Sequence, residues 1–540
     1  MSSSVVALLF FQLLIAMSTF NISSCYGRSY VGCVESESKA LLRFKGDLKD
    51  PSNRLSSWIA DTDCCKWAGI VCNNFTGNVI RLHLRNPFNY EIVYEAFERS
   101  SLVGEINTHL LELKHLLYLD LSGNNFSPNN QIPRFLGSLT NLEYLNLSFC
   151  GFGGLIPPQL GNLSNLQYLD LNQESNVNGL YVENLNWLSG LSLLEHLDLT
   201  SVNLAKASSW LLDINTLPHL LVLKLSNCDL SHFPLPPIAN FSSLAILDLS
   251  HNNFDEYFIP AWIFGLGDLI FLDLSFNYFN SPIPEGLQNL TSLRHLDLSW
   301  NYFNSSVPNW FYRFSHLEYL SLSCNSLSGI TLVMMKGQAV EYNANLNLVR
   351  SIDLSRNNFS GEIPLEVMNL GALQSFNLSH NSLTGTIPKS IGAMKSLESI
   401  DFSANQLSGK IPQSFSNLTF LSYLNLSNNK LVGEIPLSTQ LQGFDPSYFV
   451  GNELCGSPLP KKCAVEVPKS ENGNGVRGED GDDHEVNWGF YVSMAVGFVM
   501  GFWGVVGPLF VSRRWRGTYY SFLNKFWDKF YIVVLRRYCY

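Results

Sequence analysis

One short spelling, Leu-x-Leu followed by polar residues and usually an Asn, recurs along most of this chain. Its first apolar position falls at Leu119, Leu145, Leu169, Leu197, Leu223, Leu247, Leu272, Leu296, Leu320, Ile352, Phe376, Ile400 and Leu424, with a weaker copy at Leu82. From Leu119 onward, successive copies lie 24 to 28 residues apart, except for one interval of 32 between Leu320 and Ile352. A period of this length specifies units that cannot bury an apolar face alone and must stack on their neighbours. The 540 residues therefore read as one long solenoid, whose length measures outer surface. Function is to be sought on that surface rather than in an enclosed pocket.

Within a unit such as Asn141–Cys150, alternation predicts a short strand that turns Leu145 and Leu147 inward, with Leu142 starting the same set. Tyr144 and Asn146 are expected to face solvent. The recurring Asn (124, 252, 277, 301, 325, 357, 381, 405 and 429) lies where the chain turns inward, and its amide can satisfy buried backbone groups. Many units continue as Gly-x-Ile-Pro, at Gly154, Gly361, Gly385, Gly409 and Gly433. Proline blocks a full ladder there, so an edge strand or extended segment is expected, followed by an irregular or short helical return.

The ends have their own chemistry. Met1 to about Gly27 runs almost wholly apolar from Val5 to Met17, the length of a signal-peptide core. Trp488–Val511 carries no charge and is long enough to span a bilayer, with Arg513, Arg514 and Arg516 directly after it and five acids between Glu479 and Glu485 before it. That asymmetry predicts a single-pass type I membrane protein with its repeats outside. The 28-residue tail holds seven of the 34 basic residues and one of the 45 acidic ones, so the repeat body is acidic and a nucleic-acid partner is excluded.

Cys33, Cys64, Cys65 and Cys72 precede the repeats and Cys455 and Cys463 follow them, as an oxidising compartment allows. Cys455–Cys463 follows from proximity. Among the three pairings open to the other four, Cys33–Cys64 with Cys65–Cys72 is expected. No His pair at finger spacing accompanies them, so no metal is expected. Cys150 and Cys228 stand in the Asn slot and are read as buried free thiols.

The full unit, LxxLxLSxNxxSGxIPxxLGNLxxL, resembles the plant-specific class of extracellular leucine-rich repeats. The resemblance implies an α/β repeat fold, a curved leucine-rich-repeat superhelix with a concave parallel sheet, disulfide-capped ends and one transmembrane helix. Cys33–Lys45, Ser56–Trp58 and Asp63–Cys72 resemble the family's amino-terminal cap, in which Ala40, Leu41, Phe44 and Leu48 form one helical stripe. Tyr448–Pro460 resembles its closing cap. The long interval, Gly329–Asn343, followed by four regular repeats, resembles the island and terminal block of plant receptor-like proteins allied to the fungal ethylene-inducing-xylanase receptors and tomato fungal-resistance proteins. This chain departs from that group in having fewer repeats before the island, so a longer relative's ligand is not transferred.

The expected organisation is a signal peptide (1–27), amino-terminal cap (28–77), repeats (78–328), island (329–347), four repeats (348–440), closing cap (441–463), acidic juxtamembrane segment (464–487), transmembrane helix (488–512) and cytoplasmic tail (513–540). The middle residue of Leu-x-Leu is an Asp at 120, 170, 198, 248, 273, 297, 353 and 401, which is read as scaffold spelling before ligand chemistry. Outward aromatic and imidazole residues, Phe149, His251, Phe271, Phe276, His295, Trp300 and Tyr319, are the candidate ligand-binding set, since no core need explains them. Sequons at Asn74, Asn125, Asn146, Asn162, Asn240, Asn289, Asn304, Asn358, Asn377, Asn417 and Asn425 predict glycosylation. Gly497, Gly501 and Gly504 offer a close-approach face for a partner helix, a candidate co-receptor contact.

No Gly-x-Ser-x-Gly elbow, His-Glu-x-x-His helix, phosphate loop or kinase motif occurs, so neither enzyme activity nor a cofactor is expected. The tail falls below the roughly 50 residues a folded domain needs and cannot hold a kinase. The resemblance then implies a plasma-membrane receptor that binds an extracellular protein, peptide or glycan and signals through kinase-bearing co-receptors, in defence. A developmental peptide co-receptor, an inhibitor of a microbial wall-degrading enzyme and a truncated decoy are the alternatives.

Overall fold

The computed structural model describes residues 32–88, 94–126, 131–173, 179–234, 240–254, 258–308, 310–311, 314, 316–330 and 349–463. The expected signal segment, the island beyond Gly329 and Ile330, and everything from 464 onward lie outside them, including Gly497, Gly501 and Gly504 and the expected membrane span. Among the described residues no helix is long and apolar enough to cross a membrane.

Among the described residues, short strands, mostly of three residues, assemble into a 15-stranded sheet in strict chain order. Every pairing but the first is parallel, and the register matches leucine to leucine: Leu82↔Leu119, Leu119↔Leu145, Leu272↔Leu296. The first pair, Ile70–Cys72 against Val79–His83, is antiparallel and closes the sheet edge. The 32-residue interval does not interrupt it, because Leu320 pairs directly with Ile352. The strands that flank the island therefore pair with each other without a register slip.

Both leucines of each strand are sealed, Leu145, Leu147, Leu272 and Leu274 among them, and each stabilises its stack by about 1.5–3 kcal/mol. On one flank short strands at or just before the Gly-x-Ile-Pro segments form small parallel sheets, as Asn358–Glu362 and Ser382–Thr384 do with Ser328–Ile330. Proline then sets the start of a five-residue 3-10 turn, for example at Pro284 before Glu285–Asn289. These returns stack closely. A Cβ on Gly161 would run into the Trp187 carbonyl oxygen.

The recurring Asn is the rivet between units. Asn252 Nδ2 donates to the carbonyls of Leu225, Leu249 and Ser250 at 2.8–3.0 Å, and its Oδ1 accepts from the N–H groups of Cys228 and Leu230 at 3.1 Å. Where Cys replaces Asn, the thiol takes over one donation: Cys150 to Leu121 O and Cys228 to Leu199 O, both 3.1 Å. Both thiols are fully buried and pushed up by that burial.

The caps close the open ends. Helix Glu35–Gly46 buries Ala40, Leu41 and Phe44, but it ends before Leu48, which belongs instead to a two-residue strand paired with Val103–Gly104. Buried Glu37, unforeseen from sequence, accepts from Val79 N–H at 2.6 Å and ties this helix to the first sheet strands. Cys33–Cys64, Cys65–Cys72 and Cys455–Cys463 are disulfide-bonded.

Candidate functional surface

The solvent face of the sheet is organised in columns, because the in-register strands put equivalent side chains 4–5 Å apart. In the Leu-x-Leu column the acids are not displayed as the alternation predicts. Asp120 and Asp198 are buried, and so is Asn146, which the sequence reading turned to solvent. The cause is local: each side-chain Oδ1 accepts the N–H two residues on, as Asp120 does from Ser122 (3.1 Å), Asn146 from Ser148 (2.9 Å) and Asp297 from Ser299 (2.8 Å). This Asx turn bends the chain out of the strand. It needs one acceptor oxygen, which explains why Asp and Asn alternate freely here.

Burial leaves several of these acids under-solvated. It lifts Asp170 to about 7, with Asp198 adding to the effect, and lifts Asp273 to about 7, with Asp248 adding. Asp198 is partly neutralised by the Lys224 ammonium at 3.6 Å. The imidazoles beside them are pushed the other way: burial lowers both His196 and His295 to about 4, so both rings are neutral at physiological pH.

Three residues past this column the backbone turns left-handed in most units, with φ of +52° at Phe149, +54° at His251, +52° at Phe276, +53° at Trp300 and +53° at Cys324. The ladder imposes it, since each of these N–H groups reaches the next unit's carbonyl, as Phe276 N–H does to Ser299 O at 3.0 Å. Large side chains are uncommon in this conformation, which Asn and Gly adopt most readily. The chain nonetheless places His251, Phe276 and Trp300 consecutively there. Their rings stack face to face, 4.1 Å between His251 and Phe276 and 4.9 Å between Phe276 and Trp300. Phe276 and Trp300 remain 39% and 48% exposed, so the stack presents its edge to solvent.

A groove of about 670 Å³ runs along this stack, walled on its far side by Tyr278 and Tyr302 and reaching Cys324 and Arg356. The two tyrosines, each half exposed, were not singled out from sequence, although Asn-Tyr-Phe-Asn occurs twice in step, at 277–280 and 301–304. Phe271, His295 and Tyr319 form a separate column on the strands themselves, stacked at 4.1 and 4.2 Å and only half buried. Phe149 stands apart from both. It lines a second groove of about 410 Å³ with Tyr144, Tyr168, Asp170, His196 and Lys224, where the rings of Tyr118, Tyr144, Tyr168 and His196 stack at 4.0–4.2 Å. The sequence-predicted set thus divides between two grooves and one column.

The sequons also divide. Asn74, Asn125, Asn162, Asn240, Asn289, Asn304, Asn358 and Asn417 are exposed, while Asn377 and Asn425 are half buried. Asn146 is buried, with its Nδ2 donating to Asp170 at 3.0 Å.

Comparison with known proteins agrees with this architecture. The leucine rich repeat N-terminal domain matches residues 34–73, and leucine rich repeats match 115–139, 141–163, 268–290, 292–314, 348–370 and 371–431. Receptor-like protein EIX1 of Solanum lycopersicum is 39% identical over 261 residues, which are 47% of this chain and 25% of that protein. Receptor-like protein EIX2 of the same plant is 38% identical over 263 residues, 48% of this chain and 25% of that one. The matched stretch thus spans about a quarter of either relative's length. Among solved structures, PEPR1–AtPEP1 superposes with a TM-score of 0.56 at 29% identity, covering 78% of this chain and 59% of that one. The plant peptide hormone receptor RGFR1 in complex with RGF2 gives 0.54 at 27% identity, covering 73% and 65%. The chain is therefore similar to leucine-rich-repeat proteins, and among them to the plant receptor-like proteins EIX1 and EIX2.

Proposed function

We propose that this chain is a plasma-membrane receptor-like protein that binds an extracellular ligand on the solvent face of its sheet and signals, in plant defence, through kinase-bearing leucine-rich-repeat co-receptors. The observation that carries the reading is the stack His251–Phe276–Trp300, whose exposed edges line a groove and satisfy no requirement of the core. Rigid aromatic edges on a fixed backbone bind with little loss of side-chain entropy, the composition expected of an interface anchor. Disulfide-closed caps and eight exposed sequons support an extracellular setting. A peptide is the favoured ligand class, because the solved relative RGFR1, in complex with RGF2, is a plant peptide hormone receptor.

The test is to express the tagged full-length chain in plant cells, apply a fungal culture filtrate, and measure both the oxidative burst and kinase co-precipitation. Trp300→Ala and Phe276→Ala at equal surface abundance should lose the response. An unchanged response in both variants, or a chain that never reaches the cell surface, would overturn the proposal.

A further inference from the structure

Register brings together three side chains that lie 22 and 24 residues apart in sequence. Phe271–Asp273 and His295–Asp297 are adjacent parallel strands, with Asp273 paired to Asp297 and His295 two residues before Asp297, on the same face of the sheet. The ligating atoms of Asp273, His295 and Asp297 all lie within 4.8 Å of one another. Each carboxylate spends Oδ1 on its own Asx turn, to Ser275 N–H at 2.9 Å and Ser299 N–H at 2.8 Å. The His295 ring is clamped between Phe271 and Tyr319, and the Tyr319 hydroxyl donates to Asp297 Oδ2 at 3.3 Å.

The same chain contains an internal comparison. Two strands of the second groove repeat the spelling, Tyr168-Leu-Asp170 beside His196-Leu-Asp198. There the next strand supplies a cation, Lys224, whose ammonium lies 3.6 Å from Asp198, and Asn146 donates to Asp170 at 3.0 Å. At Asp273 and Asp297 the equivalent of Lys224 on the following strand is Ser321. Among the described residues no Lys or Arg forms an ion pair with either carboxylate.

We propose that Asp273, His295 and Asp297 form a divalent transition-metal site on the sheet face, with zinc as the fitting ion. Carboxylate oxygen and imidazole nitrogen are both zinc donors, three protein ligands leave one position open, and the imidazole argues against calcium or magnesium. A tetrahedral shell with bonds of about 2.1 Å sets its donors roughly 3.4 Å apart, so modest side-chain rotations draw the present cluster onto an ion. The fourth position faces solvent and is open to water or to a carboxylate of an incoming ligand. The ion does at this place what Lys224 does for Asp198.

The test is calorimetric titration of zinc chloride into the purified full-length protein in its oxidised, glycosylated form. One equivalent binds saturably. His295→Gln and Ser321→Lys each weaken it at least about tenfold, the second by supplying an ammonium while leaving all three ligands intact. Asp353→Asn, the same ladder position without a neighbouring His, leaves it unchanged. Unfolding of His295→Gln, monitored by circular dichroism, removes only that variant, and Ser321→Lys then decides. Absence of saturable binding, or equal affinity in Ser321→Lys and the unmodified protein, overturns the site.

Discussion

Replacing Asp170 by Asn separates the two jobs a buried acid does in this sheet. Its Oδ1 accepts the Asn172 N–H at 3.0 Å, which an amide oxygen does equally well, and Asn stands naturally at 146, 377 and 425. What Asn removes is the charge and the donation from Asn146, a loss of about 1 kcal/mol. Burial lifts the Asp170 carboxyl from 3.8 to about 7, so the native state holds a proton over that window and the unfolded chain does not. The stability involved is fully present below pH 3.8 and lost as pH rises towards 7. Three pKa units set a ceiling of about 4 kcal/mol, and the effective dielectric around coupled charges reduces it to about 2 kcal/mol. Asp170→Asn is therefore less stable than the unmodified protein by about 1 kcal/mol at pH 4 and more stable by about 1 kcal/mol at pH 7.5. His196 titrates in the opposite sense: its folded value is lowered from 6.5 to about 4, so stability rises with pH across that window. Because this contribution is common to both proteins, the difference between them is the quantity to measure, by urea denaturation at pH 4, 5.5 and 7.5. A difference that does not change with pH would refute the account of the row as desolvated acids.

Three further outcomes follow from the scaffold. Asn301→Ala deletes donations to the carbonyls of Leu274, Leu298 and Ser299 and strands the Phe279 N–H, so the urea midpoint should fall by the equivalent of about 3–4 kcal/mol. Gly161→Ala drives a methyl into the Trp187 carbonyl and should cost about 2–3 kcal/mol, whereas Gly265→Ala, with nothing within 4 Å, should stay within about 0.5 kcal/mol of the parent in a thermal melt. Glycopeptide mass spectrometry should find Asn146 unmodified beside occupied Asn240 and Asn289, because the Asn146 amide is buried against Asp170 while the other two are exposed.

The repeat, its register and its rivets were legible because they depend on spacing alone: equal intervals place Leu272 over Leu296 whatever lies between. The orientation of the Asp column was not legible. Period-two alternation sends Asn146 and Asp120 outward, and only the Asx turn, a two-residue backbone device, folds them under the surface. The end of the cap helix was missed for a similar reason. Leu48 continues the helical stripe, but its backbone is claimed by pairing to Gly104, 56 positions away. The candidate set was legible residue by residue but not as a geometry. Phe149 and Trp300 occupy the same slot of their repeats, and it takes the intervening repeats to put them in different grooves.

The left-handed slot explains why the aromatic stack is more than decoration. The ladder demands φ near +53° at Phe276 and Trp300, where an L side chain pays roughly 1–2 kcal/mol and Asn or Gly would pay less. Asn227 and Asn428 show that the cheaper choice is available to this same repeat. Stacking between neighbouring rings returns about 0.5–1.5 kcal/mol, which covers part of that strain and also fixes each ring against the next. The rings are therefore held in place before any ligand arrives, by a contact that exists only because consecutive repeats carry them together. Folding alone favours Asn in this slot, so three consecutive aromatic or imidazole rings mark the place where the sequence spends stability on its surface.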